Sequence, residues 1–410
     1  MIVTSDDLAR AAKRLRSHPL DTGAWLEVAA ILHALGHTDD AEQAFTAIGE
    51  GARLGGQVAL AIACARHLAE LGSVRGPELV DRIIETYADA PVRRSKAATS
   101  PPYSHPAADP PALPAPTGDA LADARAMLER YGEWLLSRTL RRGPPAPLLS
   151  ALSEPGARAL TGVMTARAFP AGARIIEVGE PASALYWLAH GTLAVTRPAS
   201  TGEWTALGEL HSGALFGEIA LVGGTRRTAR VTAVDDVWVL EIPARAVETA
   251  AAKQPALAEV LAQHARARLL ANLTRTSELF RALGDDHRDA LLAKFATELV
   301  PAGTRFIAEG TANEHLWVVV SGRCEVRSAG GSLAELGPGA AVGEISLVSG
   351  QSAVADVVAV EPAVLLRLSR RDFDEVARRH PALRAEIERL VVARETANRA
   401  LFQDASDLIV

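Results

Sequence analysis

Over the first ninety positions apolar residues recur at helical spacing, Leu8, Ala11, Ala12 and Leu15 on one stripe and Trp25, Val28, Ala29, Leu32 and Leu35 on the next. This period predicts packed helices from residue 5 to about 90, and the many small side chains let them approach closely. Between Pro91 and Thr117 the period collapses. Seven prolines fall between Pro101 and Pro116, a composition that reads as an extended polyproline spacer. Asp119 is placed to cap a helix through about Leu140, which Pro144-Pro145 brings to a stop. Beyond that the dominant spacing shortens. Runs such as Leu185-Tyr-Trp-Leu188, Thr192-Leu-Ala-Val195 and Trp238-Val-Leu-Glu-Ile242 are separated by glycine turns, predicting a β-sandwich or barrel. Helical stretches at about 155–163, 244–276, 285–299 and 370–402 bracket these strands.

The strand-rich part repeats. Leu148, Leu152, Gly172, Gly179, Tyr186 and Gly191 recur as Leu279, Leu283, Gly303, Gly310, Trp317 and Gly322, each 131 positions later. Further on the offset is 126, from Gly217 to Gly343 and Glu218 to Glu344. The second copy therefore lacks five residues of the first copy's loop near Pro198 to Glu203, a loss a surface loop tolerates.

The densest chemistry lies in Leu215-Phe-Gly-Glu-Ile-Ala-Leu-Val-Gly-Gly-Thr-Arg-Arg-Thr-Ala-Arg-Val231. Gly217 lets backbone approach a ligand, Glu218 suits a ribose hydroxyl, and Arg227 can offer a bidentate fork to a phosphate with Thr228 adding a hydroxyl. Read from these residues alone, a buried Glu–Arg pair closing a β-hairpin is the competing account.

Phe216-Gly217-Glu218-Ile219-Ala220-Leu221 followed by Arg227-Thr228-Ala229 resembles the phosphate-binding cassette of the cyclic nucleotide-binding domain family. The resemblance extends over both copies, including the glycines at 172 and 179 and at 303 and 310. It implies that Glu218 holds the ribose 2′-OH, that Arg227 holds the cyclic phosphate, and that Gly217 and Ala220 offer backbone groups. Two positions depart from the common form: Arg226 stands where proline is frequent, and Arg230 where a small hydroxyl residue often helps to discriminate the base. The second cassette runs through Gly343, Glu344, Ile345 and Ser346, with Ala353 at the position of Arg227 and Asp356 at that of Arg230. A pocket without its phosphate arginine is expected to be degenerate. In the N-terminal part, Trp25-x-x-Val28-Ala29-x-x-Leu32-x-x-Leu35-Gly36 and Ile62-x-x-Ala65-x-x-Leu68-x-x-Leu71-Gly72, 36 residues on, resemble tetratricopeptide helix pairs.

Composition narrows the remaining choices. With 410 residues, 48% hydrophobic and 22% charged, the chain has material for two to four ordinary globular units. A formal net charge of −6 gives no global attraction to nucleic acid or anionic membranes. Cys64 and Cys324 show neither disulfide-framework nor zinc spacing, so no metal is expected. No apolar run is long enough for a membrane span, no leader is apparent, and the cytoplasm is the expected location. No catalytic motif stands out, and no helix-turn-helix module is expected after the second copy.

The expected fold is therefore α+β and multidomain. It comprises a tetratricopeptide-like helical domain (1–90), a proline-rich disordered linker (91–118), a linking helix (119–143) and two jelly-roll-like barrels with flanking helices, ligand-competent at 144–276 and degenerate at 277–410. The expected function is a non-catalytic regulatory protein without cofactor. It would bind cyclic AMP or cyclic GMP in the first barrel and relay this to a protein partner through the N-terminal helices, with self-association into a homodimer open. The alternatives are an interaction scaffold without ligand and a cyclic dinucleotide receptor using Arg226 and Arg230.

Overall fold

The computed structural model describes residues 3–19, 21–88, 111–136, 146–198, 203–277, 291–328 and 331–381, with 280, 288, 384–385, 387–389 and 391–392. The chain begins with five helices, α1 (Ser5–Ser17), α2 (Thr22–Ala34), α3 (Thr38–Leu54), α4 (Val58–Glu70) and α5 (Arg75–Tyr87). Thr4 and Asp7 form a reciprocal cap on α1, and the Asp21 carboxylate accepts from the Gly23 and Ala24 amides at the start of α2. α2, α3 and α4 end in the same way. Gly36, Gly56 and Gly72 take positive φ, and the following amides of His37, Gln57 and Ser73 reach back to the carbonyls of Leu32, Ala52 and Leu68 at 2.8–3.0 Å. These are Schellman caps, which explains a glycine after each apolar stripe.

Helix α6 (Ala120–Leu136) starts where expected, with Asp119 Oδ1 accepting from the Leu121 and Ala122 amides. It is docked rather than merely linking. Tyr131 stacks on Trp25 with ring centroids 4.1 Å apart, and Arg125 makes a two-pronged contact with Asp40 at 2.8 Å. Residues 111–119 lead into it, the Arg16 guanidinium donating to the Pro114 carbonyl. Most of the proline-rich stretch, residues 89–110, lies outside the described residues, as do 137–145.

After α7 (Pro147–Ser150) and α8 (Glu154–Gly162) comes the first barrel: β1 (Thr165–Phe169), β2 (Arg174–Ile176), β3 (Ala184–His190), β4 (Thr192–Pro198), β5 (Trp204–His211), β6 (Leu215–Phe216), α9 (Glu218–Gly223), β7 (Arg230–Ala233) and β8 (Val237–Pro243). Helices α10 (Ala244–Lys253) and α11 (Pro255–Thr276) follow. The second barrel holds β9 (Ala296–Val300), β10 (Arg305–Ile307), β11 (His315–Ser321), β12 (Cys324–Ser328), β13 (Gly331–Leu336), β14 (Ala341–Val342), α12 (Glu344–Ser349), β15 (Asp356–Ala359) and β16 (Ala363–Ser369), then α13 (Arg370–Arg379). The sheets are β1-β8-β3-β6 and β2-β7-β4-β5 in the first barrel, and β9-β16-β11-β14 and β10-β15-β12-β13 in the second. The repeat in sequence is thus a repeat in strand order.

Strands β3 and β8 are buried on both faces. Leu188, Val237 and Val239 point into the barrel with Phe216 and Val231, while Leu185, Trp187, Leu240 and Ile242 join one continuous core with the N-terminal helices. Their near-unbroken apolar runs follow from that double burial. Phe45 and His67 close on Trp238 at centroid distances of 5.9 and 5.6 Å. His190 lies so near α2 that a Cβ on Gly23 would sit 2.7 Å from its Nε2.

Three helix expectations are corrected. The stretch 244–276 is two helices, broken at Gln254 (φ −135°, ψ 89°), and the helix from Arg370 ends at Arg379 with His380 (φ −132°, ψ 76°). Each break is the residue before a proline, whose ring disfavours helical backbone at the preceding position. Residues 296–299, assigned to a helix by periodicity, belong to β9, whose pairing with β16 overrides local preference. Residues 381, 384–385, 387–389 and 391–392 are again helical, and 393–410 lie outside the described residues.

Burial holds His67 and His190 below the ordinary histidine pKa, desolvation outweighing the raising effect of Glu70 on the first and of Asp21 and Asp235 on the second. A depressed histidine pKa means the unfolded chain binds more protons. The associated stability is therefore fully present above about pH 6.5 and is lost as pH falls from there through the lower folded-state values. Calorimetric melting of the first barrel with its helices should give a midpoint that is level above about pH 7 and declines toward pH 5. The double variant His67→Phe, His190→Gln should flatten that decline, and an equally steep slope in the variant would refute the assignment.

Candidate functional site

The first cassette is built on a forced turn. Gly217 ends β6 at φ 86° and opens the short helix α9, which closes on Gly224 at φ 60°. Phe216, 1% exposed, stacks on Tyr186 at 5.2 Å and anchors the strand side of the turn. Ala220 is buried beneath it, and the Thr225 amide returns to the Ala220 carbonyl at 3.0 Å.

Arg227 is 5% exposed and threads back under this turn. Its Nη1 donates to the Gly217 carbonyl at 2.8 Å and its Nη2 to the Ala184 carbonyl at 2.6 Å. Its own backbone is pinned to the neighbouring loop, the Arg227 amide on the Glu180 carbonyl and the Gly179 amide on the Arg227 carbonyl. Burial lowers the guanidinium pKa, opposed by Tyr186, Glu180 and Glu218. The cation is thus fixed in place by neutral carbonyls. Thr228 and Ala229 follow, half-buried, on the way into β7.

Glu218 is 1% exposed. It does not pair with Arg227, contrary to the hairpin account: the Nε of Arg268 on α11 lies 3.5 Å from its Oε1, and that oxygen has no hydrogen-bond partner among the described residues. His264, one turn earlier on α11, is also buried there and hydrogen-bonds to the Leu215 backbone, leaving Nε2 without a partner. Burial depresses its pKa despite the nearby Glu218. His264 and Arg268 were not singled out from sequence as facing Glu218; their i, i+4 spacing on an apolar helix was the signal available.

The other two arginines of the segment are engaged elsewhere. Arg226 Nη1 donates to the Gly179 carbonyl at 2.8 Å. Arg230 Nε contacts both Glu177 oxygens at 2.9 and 3.0 Å, and its guanidinium lies 3.7 Å from the Trp204 ring centroid. Glu177 is held below the usual carboxylate pKa mainly by that bond.

The cassette also faces the second barrel. Ile219 packs against the second core, and a Cβ on Gly223 would lie 2.8 Å from Val364 Cγ2. Arg197, buried and lowered by desolvation to about 10, donates to the Pro338 carbonyl at 3.0 Å. A cavity of about 450 Å³ lies beside α9, with Thr225, Arg226 and Glu248 on one side and Glu361 and Pro362 on the other.

In the second cassette Gly343 (φ 87°) and Gly350 (φ 76°) frame α12 as Gly217 and Gly224 frame α9. Glu344 and Ser346 are buried, and Ile345 is half-buried against the second core. Ala353 takes the backbone position of Arg227: its amide meets the Thr311 carbonyl at 2.9 Å, and its carbonyl accepts from the Gly310 amide at 2.8 Å. No guanidinium reaches the turn from that position. Asp356 instead pairs with Arg305 at 3.2 Å on the rim. Among the described residues no group of three or more His, Cys, Asp or Glu side chains is placed to hold a metal, and no helix is long and apolar enough to cross a membrane.

Residues 166–254 and 297–380 match the family model described as the cyclic nucleotide-binding domain. A cGMP-dependent protein kinase, egl-4, of Caenorhabditis elegans is 27% identical over 215 residues, covering 50% of this chain and 26% of the kinase. The cyclic AMP receptor protein of Thermus thermophilus is 34% identical over 123 residues, covering 29% of this chain and 57% of that protein. The chain thus spans about a quarter and somewhat over half of these two relatives. A solved structure described as cAMP-bound PfPKA-R (141-441) aligns over 63% of this chain and 86% of its own, with 16% identity and a TM-score of 0.31.

Gly217→Ala should cost about 1–3 kcal/mol of stability, since a left-handed backbone carries a Cβ poorly and the new methyl would stand 2.7 Å from Arg227 Nη1. Gly224→Ala shares the unfavourable φ but meets nothing within 4 Å, so denaturant unfolding should show the smaller loss, about 1 kcal/mol. Equal losses would mean that the crowding around Arg227 contributes nothing.

Proposed function

From a chain that carries two cyclic nucleotide-binding domains, we propose a non-catalytic, cytoplasmic regulatory protein that binds one cyclic mononucleotide, cyclic AMP or cyclic GMP, in the first barrel. The observation that carries this reading is the buried Glu218 Oε1, which makes no hydrogen bond among the described residues and has only the Arg268 guanidinium at 3.5 Å, on the turn beneath which the buried Arg227 lies. A ribose hydroxyl satisfies the first, and the exocyclic oxygens of a cyclic phosphate suit the remaining face of the second. Gly217, Ile219 and Ala220 would supply the backbone frame, with Thr228 and Ala229 at its edge. Arg226 and Arg230 already have partners, which weighs against a cyclic dinucleotide bound through them.

The second barrel, with Ala353 where the fork would be, is read as a pocket that takes no cyclic nucleotide. Its role would be to receive the state of the first. Support comes from α9, which packs through Ile219 and Gly223 on the second barrel, and from α11, whose Leu257 and Leu261 lie in the first core and Leu269 and Leu273 in the second. Onward relay to a protein partner would use the N-terminal helices, whose 36-residue recurrence resembles tetratricopeptide pairs. Their shared core with the first barrel gives a ligand-induced shift a solid path to that surface.

Isothermal titration of the full chain should give one cyclic mononucleotide per chain. Arg227→Ala should weaken binding roughly ten- to a thousandfold, since one buried charge-assisted contact is worth about 1.5–4 kcal/mol, whereas Arg226→Ala should change it little. Two equivalent ligands per chain, or affinity indifferent to Arg227, would defeat the proposal.

Relay between the barrels has its own test. Gly223→Val inserts a side chain against Val364 without touching Glu218 or Arg227. Small-angle scattering should then show a larger radius of gyration, with ligand affinity altered by less than about threefold, because only the docking is overpacked. An unchanged radius would detach the cassette from the second barrel's response.

A further inference from the structure

Each cassette turn holds two carbonyl oxygens that must be bridged. In the first barrel they belong to Ala184 and Gly217, and Arg227 bridges them at 2.6 and 2.8 Å. The equivalent positions in the second barrel, 131 residues on in the first residue of β11 and 126 on in the cassette glycine, are His315 and Gly343. Ala353 has no side chain to reach them. A different residue does: Asn313 Nδ2 donates to the His315 carbonyl at 2.7 Å and to the Gly343 carbonyl at 3.4 Å.

The superposition of roles is spatial as well as chemical. A Cβ on Gly217 would sit 2.7 Å from Arg227 Nη1, and one on Gly343 would sit 2.6 Å from Asn313 Nδ2. The amide nitrogen thus occupies the place of the guanidinium terminus against the same glycine. It arrives from the strand-entry loop rather than from the cassette. Asn313 is itself 9% exposed, and its Oδ1 accepts from the His315 amide at 3.3 Å, which fixes its orientation. Position 182, equivalent to Asn313 in the first barrel, is alanine, so neither copy carries both bridging groups.

We propose that Asn313 is the residue that makes the second barrel independent of ligand: it is a neutral bridge that holds the cassette in shape and occupies the space a phosphate-binding arginine needs. This rests on the single-site reading above and explains how the second fold survives loss of its arginine. A guanidinium carries five donors, so after satisfying two carbonyls it retains donors and charge for an anion; a carboxamide has two donors and no charge, and both carbonyls consume them. The substitution is therefore a pair of coupled changes. Restoring the arginine alone puts two groups on the same two carbonyls.

The experiment uses four full-length proteins titrated calorimetrically with cyclic AMP and cyclic GMP: Arg227→Ala, and that variant further carrying Asn313→Ala, Ala353→Arg, or both. The first three are expected to bind at least tenfold more weakly than the combined variant, which regains one site. If the Ala353→Arg protein binds as well as the combined one, Asn313 blocks nothing and the proposal fails. If the combined variant is folded and silent while Arg227→Ala is also silent, the inference fails and the single-site reading stands. Binding by Arg227→Ala itself at native affinity would sink both. A readout that needs no gain of binding comes from Asn313→Asp, which keeps the shape but turns a donor into a charge facing two carbonyl oxygens. Its second-barrel unfolding midpoint should fall by roughly 3–8 °C, and an unchanged midpoint would overturn the bridging role.

Discussion

The structure is organised by the need to satisfy two carbonyl oxygens beneath a tight turn. Gly217 in its left-handed conformation turns its own carbonyl inward, β3 begins with another at Ala184, and both face the same buried position. Buried acceptors left unmet each cost about 1–3 kcal/mol. The chain answers with one long side chain, Arg227, whose backbone is in turn tied to residues 179 and 180. The geometry of the cassette is thus set before any anion arrives, and charge at the site is a by-product of a structural requirement.

Much of this was legible in sequence because it depends on local rules. Glycines with obligatory positive φ recur at fixed offsets, the apolar stripes at 8–15 and 25–35 coincide with α1 and α2, and Asp119 caps α6 as its position promises. The cassette could be found because Gly217, Glu218 and Arg227 are close in sequence as well as in space. At Gln254 and His380 the following proline breaks a helix that apolar spacing alone would continue.

What sequence could not give were relations between distant segments. Arg268 reaches Glu218 across 50 positions and Asn313 reaches Gly343 across 30, and beyond the i, i+4 spacing of His264 and Arg268 nothing in either residue's neighbourhood marks it. The docking of α4 on the outer face of β3 and β8 is similar. The near-unbroken apolar runs at 184–189 and 237–242, interrupted only by Glu241, were compatible with strands covered on both sides, but only the tertiary arrangement supplies the covering helices.

That covering bears on modularity. A cut through the chain at 118 or 144, where composition changes most sharply, separates Phe45 and His67 from Trp238, and the cut at 118 also separates Trp25 from Tyr131. It would leave an apolar sheet face open on one fragment and an apolar helix face on the other. The units that composition delimits are therefore not the units that could be exchanged by recombination, since grafting a foreign barrel onto these helices would have to reproduce the outer surface of β3 and β8 residue by residue. In this chain the helical region and the outer face of the first barrel share one core, so the two form a single packing unit.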